Sequence, residues 1–191
     1  MVMRLSGAAA AILALALAGC GEEALRTGPI DARVLRSVAS VHVDPAAAAA
    51  TLNAYRASRG LGPLRLDPAL TAMAQRQADA MVAANALSHD AAGSFASRLA
   101  GAGVDTSEAG ENLGGGYYST EEALAGWRGS PEHDANLLIA RATRFGIALA
   151  KDARTQYRVY WAMEVAAEPR RPARGPALLT STSGEPVATR P

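Results

Sequence analysis

Cysteine is almost absent. Cys20 is the only one, so no disulfide forms within the chain and stability must come from a buried core. Histidine is scarce as well, with three in 191 residues, which leaves little imidazole to build a site from. Neither sign of charge prevails: 19 basic residues face 18 acidic ones, and the segment 1–19 carries Arg4 alone. The remainder is formally neutral, which excludes the electrostatic footprint of a nucleic-acid binder. After the N-terminal region no run is apolar enough to span a bilayer. No His-Glu-x-x-His helix occurs either, so no standard metalloprotease motif points to hydrolysis.

What is there begins with an address. Arg4 precedes an apolar run from Ala8 to Ala18, too short for a spanning helix and flanked as a secretory signal is. The run ends in Leu17-Ala18-Gly19-Cys20, which resembles a bacterial lipobox, in which the cysteine is lipidated and becomes the first mature residue. Residues 1–19 are therefore expected to be a lipoprotein signal peptide and Cys20 the lipidation site. The chain is expected to meet a membrane through that lipid, outside the cytoplasm. Gly21 after the cysteine goes, in a Gram-negative cell, with the outer membrane facing the periplasm. An anchor of two or three acyl chains, at roughly 0.8 kcal/mol per buried methylene, would be effectively permanent.

The rest divides by composition. Residues 20–43, with mixed charges and a Gly28-Pro29 break, read as the lipidated cysteine and a tether. Residues 168–191 hold five of the ten prolines, four arginines and a Ser/Thr run, and read as a disordered tail. One domain is expected between them, over 44–167. Asp44-Pro45 and Asp67-Pro68 each pair an N-cap with a first-turn proline, so each opens a helix. Leu70, Met73, Ala74 and Met81 in the second follow the helical period and mark a core face. Ser94 starts a short helix closed by Gly101, Ser119-x-x-Glu122 is a capping box, and Ser130-Pro131 opens another helix. The period then changes to two: 145–149 and 157–163 read as antiparallel strands joined by 151–154. Helices followed by a hairpin give an α+β fold, an α-β-α sandwich with a small antiparallel sheet between helical layers.

The chemistry gathers at three places. Gly110-Glu111-Asn112-Leu113 sets a carboxylate beside an amide in what reads as a glycine-flanked turn. Leu87-Ser88-His89-Asp90 supplies an imidazole just past a helix, and Trp127-x-x-Ser130-x-x-His133-x-x-Asn136 supplies another. Together with Leu52-Asn53-Ala54-Tyr55-Arg56, with Leu66-Asp67-Pro68-Ala69-Leu70 and with Gly146-Ile147-Ala148, these motifs resemble, in order over about 120 residues, the CAP superfamily. That superfamily comprises the SCP, or cysteine-rich secretory, antigen 5 and pathogenesis-related 1 proteins, and the form here is the disulfide-free bacterial one.

The resemblance implies a large cleft where two histidines and two acids converge, which in some members binds a divalent metal. Carried over by motif, His89, Glu111 and His133 are the candidate cleft or metal residues, with Asn112, Ser130 and Asn136 in support. The second acid of the eukaryotic pattern falls on Ser130 and does not carry over. Two imidazoles and one carboxylate are the ligands of several catalytic zinc sites with an open position for water, so zinc is the metal such a set would suit. Zinc would bring the pKa of that water to roughly 7, but no separate general base is legible to use it. Each residue also has a plainer reading. Glu111 would pair with a histidine and fasten the cleft, Ser130 would serve as an N-cap rather than a nucleophile, and Asn112 and Asn136 would tie loop to helix. Three functions stay open: a tethered module binding a small molecule or lipid, with or without a metal; a metal-assisted hydrolase of peptide or envelope material; and an adhesive or structural envelope scaffold.

Overall fold

The computed structural model describes residues 28–169. The expected signal peptide over 1–19, the lipidation at Cys20 and the tail beyond residue 169 lie outside the described residues. The described chain runs α1 (Ala32–Ser40), α2 (Pro45–Ser58), β1 (Arg65–Leu66), α3 (Pro68–Ala84), α4 (Phe95–Gly101), β2 (Ala109–Gly115), α5 (Thr120–Arg128), α6 (Pro131–Leu137), β3 (Ala142–Lys151) and β4 (Val159–Ala167). None of the described helices is long and apolar enough to cross a membrane.

Capping chemistry places the helices. Asp44 accepts from the amides of Ala46 and Ala47, and Asp67 from those of Ala69 and Leu70, with proline following each cap. Gly60, at φ 74°, and Asn85, at φ 49°, turn the chain into the left-handed region just past α2 and α3. At α5 the Ser119 hydroxyl accepts from the Glu122 amide, while Glu122 reaches back to the Tyr118 amide at 2.7 Å.

The sheet has the order β1-β3-β4-β2, and β4 lies inside it, buried along its whole length. Alternation along β4 makes the two layers. Val159, Trp161, Met163 and Val165 pack with Leu52, Leu124, Trp127 and Leu137 of α2, α5 and α6. Tyr160 and Ala162 pack with Ala74, Ala78 and Met81 of α3, and Ala166 packs with Leu70 and Val104. On that side α3 lies directly on β3: a Cβ at Gly146 would stand 2.2 Å from the backbone of Leu70 and Thr71. The result is the expected α+β sandwich.

Four features depart from the sequence expectation. The sheet is mixed rather than antiparallel, because the two-residue β1 pairs parallel with β3, too short to show any alternation. The Gly110–Leu113 stretch is not a turn but the middle of β2, paired antiparallel with β4. Strand β4 runs on to Ala167, four residues past the expected end at 163. Within the expected tether, α1 is folded against the domain. Val38 and Val41 are buried, and the Lys151 ammonium donates to the carbonyls of Ala39 and Val41.

Candidate functional site

Pairing of β2 with β4 sets Glu111 directly opposite Glu164. Glu111 lies two residues before Leu113, and Glu164 two after Ala162, so both carboxylates belong to the face covered by α3 and α4. Two acids at opposed positions inside a sheet need compensation, and α4 supplies it. Arg98 Nη1 stands 2.6 Å from Glu111 Oε2 and 3.3 Å from Glu164 Oε1, with the three side chains 5 %, 3 % and 0 % exposed. The guanidinium is fixed from behind, donating from Nε to the Gly93 carbonyl at 3.0 Å and from Nη2 to the His89 carbonyl at 3.0 Å.

His89 closes the other side. Its Nδ1 donates to Glu111 Oε1 at 2.6 Å, while its side chain is 61 % exposed, so the imidazole bridges solvent to the buried pair. The loop that carries His89 is itself held by Gln77, buried on α3, which donates to the Ser88 carbonyl and accepts from the Ala92 amide. Burial pushes the Glu164 carboxyl up to about 9, helped by the charge of Glu111 and a hydrogen bond to it, and opposed by Arg98. A neutral Glu164 leaves one carboxylate against one guanidinium, which balances the buried charge.

The other face of β2 holds the supporting amides. Asn112 donates to the His133 carbonyl at 3.0 Å, and Asn136 donates to the Glu111 carbonyl at 3.0 Å and to Asn112 Oδ1 at 2.9 Å. Gly110 makes room for this clamp, since a Cβ there would stand 2.5 Å from Asn136 Oδ1. Trp127 donates its indole N–H to the Leu113 carbonyl at 2.8 Å, completing the fastening of α5 and α6 to the edge strand. Ser130 occupies the N-cap position of α6 but makes no side-chain capping bond; Pro131 presets the first turn without one.

The site residues expected from the sequence are therefore divided by the pleat. His89 and Glu111 meet on the α3/α4 face, whereas the backbone of His133 is bound to Asn112 on the α6 face. Among the described residues no three His, Cys, Asp or Glu side chains gather as a metal site. Both oxygens of Glu111 are engaged, one by His89 and the other by a cation already in place. His89, Glu111 and His133 are not brought together as one group in this arrangement. Glu164 and Arg98, which complete the cluster, were not among the expected residues. The one signal, for Glu164, is a lone charged residue at an inward position of an otherwise apolar strand.

Beside the cluster lies an open cavity of about 450 Å³ between α3 and α4, walled by Ala69, Ala72, Ala92 and Ala102, with Arg76 and the stem of Arg98 along it. Its volume is that of a small-molecule site. Arg76 is exposed and has no ion-pair partner among the described residues, and no carboxylate lines the cavity.

A family model described as the cysteine-rich secretory protein family, CAP, matches residues 49–165. The uncharacterised protein YkwD of Bacillus subtilis is 31% identical over 97 residues, covering 50% of this chain and 38% of that protein. The chain thus spans well under half the length of that curated relative. An extracellular protein of Bacillus anthracis containing an SCP domain superposes with a TM-score of 0.58 at 22% identity, over 74% of this chain and 45% of the other. An outer surface protein of Borrelia burgdorferi gives 0.57 at 16% identity, over 66% of this chain and 97% of its own length.

Proposed function

The chain belongs to the cysteine-rich secretory protein (CAP) family, and from that premise we propose that it is an extracytoplasmic module that binds a small amphipathic acid between α3 and α4. The observation that carries the reading is the open cavity of about 450 Å³, lined by four alanines beside Ser97, Gly101 and Arg98, with Arg76 as its free charge. An apolar body against the alanines gains from burial, and an acid group beside Arg76 gains a charge-assisted contact. The buried cluster meets this cavity at Arg98, which is part of its lining. Arg98 ties α4 to the sheet through Glu111 and Glu164, so the cavity keeps its width. The Glu111 carboxylate is held on both sides, by His89 and by Arg98, and so does not stand free as a general base.

The location follows from the address at the N-terminus. The signal-like run and Cys20 support a lipid-anchored protein on the outer side of a membrane. The description of two structural neighbours as extracellular and outer surface proteins agrees with that placement. Changing Cys20 to serine would release the protein into a soluble fraction; a protein that stays in the membrane pellet would refute the anchor.

Fluorescence titration with cis-parinaric acid tests the ligand reading. Saturable binding at micromolar Kd, about −8 kcal/mol, is expected of the parent. Ala72→Trp should abolish it by filling the cavity, and Arg76→Glu should weaken it about tenfold, or 1.4 kcal/mol. Both positions are exposed, so neither change touches the core. A parent that shows no saturable binding, or variants that bind as the parent does, would sink the proposal.

A further inference from the structure

We propose, resting on the reading of Cys20 as a lipid anchor, that the outer face of α1 lies on the phospholipid surface and holds the domain in one orientation. A spacer that only lifted the domain would gain nothing from folding against it, yet α1 does fold against it. Val34, Val38 and Val41 recur at helical spacing and turn one side of α1 and its C-cap into the core. The Lys151 ammonium, hydrogen-bonded to the Ala39 and Val41 carbonyls, ties the C-terminal end to β3. The helix therefore cannot turn on the domain, and the side it shows to solvent is fixed.

That side has an apolar line and a basic line. Ala32, Leu35 and Ala39 stand at i, i+3 and i+7, all exposed, with Leu35 at 45 %. Arg33 and Arg36, three residues apart and exposed, run beside them. Neither arginine has an ion-pair partner among the described residues, and α1 contains no acid. The carboxylate just before it, Asp31, accepts from the Arg33 amide as the N-cap. A lone exposed leucine is ordinary. This one stands with two unpaired guanidiniums on the described element nearest Cys20 in the chain.

Residues 21–31 join Cys20 to α1, and a chain of that length reaches at most about 40 Å in any conformation. It enters α1 at the N-terminus, so Arg33, Leu35 and Arg36 are the first fixed surface it draws toward the bilayer. Guanidiniums suit phosphate oxygens and leucine suits the acyl boundary, which together fit a phospholipid headgroup layer. Glu22, Glu23 and Arg26 lie between, so the fit is one of placed guanidiniums and not of net charge. Contact by a tethered element is intramolecular, so a weak contact suffices.

Tryptophan quenching by brominated acyl chains tests this, with the lipidated protein reconstituted in phosphatidylcholine vesicles and isolated by flotation. The native Trp127 and Trp161 are buried and give the background. Leu35→Trp should lose most of its added emission in brominated vesicles. Leu66→Trp should lose none, since Leu66 is exposed but pairs with Phe145, about 20 Å along β3 from Lys151. Adding Arg33→Ser and Arg36→Ser to Leu35→Trp should restore the emission while the protein still floats. Unquenched emission from position 35 in floating protein would overturn the proposal and leave the anchor standing. Equal quenching at 35 and 66 would overturn it as well, because the domain would then have no preferred face. Protein that does not float refutes the anchor reading, and the proposal falls with it.

Discussion

Replacing Glu164 by glutamine should flatten the fall in stability that the parent shows as pH rises from about 5 to about 8. Glu164 is fully buried, and burial together with Glu111 moves its carboxyl from 4.5 to about 9 in the fold. The unfolded chain loses this proton near 4.5 while the folded chain keeps it until about 9. Between those values the native state binds more protons than the unfolded state, so stability decreases with pH. The contribution is fully present below 4.5 and is lost as pH climbs through the folded value. One proton held in this way is worth up to roughly 1.4 kcal/mol per pH unit, hence roughly 4 kcal/mol at most over three units. For a chain of this size each kcal/mol moves the melting temperature by about 2–4 °C, so the parent should lose several degrees to about 16 °C relative to the variant. Glutamine carries no titratable proton, and its amide can still donate toward Glu111. Thermal unfolding followed by circular dichroism across the range, with the parent compared against Glu164→Gln at each pH, separates the Glu164–Glu111 pair from the other titrations. Parallel profiles would refute the reasoning, because they would mean that Glu164 is already ionised in the native state.

Three further substitutions probe the frame around the cluster. Asn136→Ala removes the donor to the Glu111 carbonyl and to Asn112, and should cost about 1–3 kcal/mol in urea unfolding; an unchanged midpoint would deny the clamp. Gly146→Ala forces a methyl to 2.2 Å from the α3 backbone and should destabilise by about 1–3 kcal/mol or more through overpacking, checked by the same measurement. Arg56→Met takes a buried guanidinium from the carbonyls of Gly62, Leu137, Ile139 and Ala142, and should lower stability by at least about 3 kcal/mol, with a visible loss of melting temperature.

The helical part of the fold was legible because its signals are local. Asp44-Pro45, Asp67-Pro68 and Ser119-x-x-Glu122 each carry their capping chemistry within four residues, and each opens the helix it predicts. The apolar face at Leu70, Met73, Ala74 and Met81 is likewise a property of one segment, and all four are buried. The antiparallel β3–β4 pair also showed, through its period of two, whereas the pairing of β1 and β2 did not. Gly110-Glu111-Asn112 looks like a turn when read alone, whereas Gly110 is there to make room for Asn136 of α6 rather than for a bend. Strand β1, at two residues, is defined by β3 and not by its own side chains.

The same distinction explains the site. His89 and Glu111 were named from motifs, and they do meet, but a motif says nothing about which face of a strand a neighbour takes. Glu111 and Asn112 are consecutive, so the pleat sends them to opposite faces; the His133 backbone is fastened through Asn112, on the face opposite the Glu111 side chain. Arg98 and Glu164 are 66 residues apart and belong to no shared motif. Yet Glu164 could have been asked about. Tyr160 and Ala162 precede it at period two, Val165 and Ala166 follow it, and the strand has no other charge. A lone carboxylate at an inward position of such a strand needs either a proton or a cation. The fold provides for both: Arg98 supplies the charge, and the raised pKa of Glu164 keeps the proton in place. A sequence reading that stops its strand at Met163, before the first charge, misses the requirement, because here the charged residue beyond that point is the one the core is built to hold.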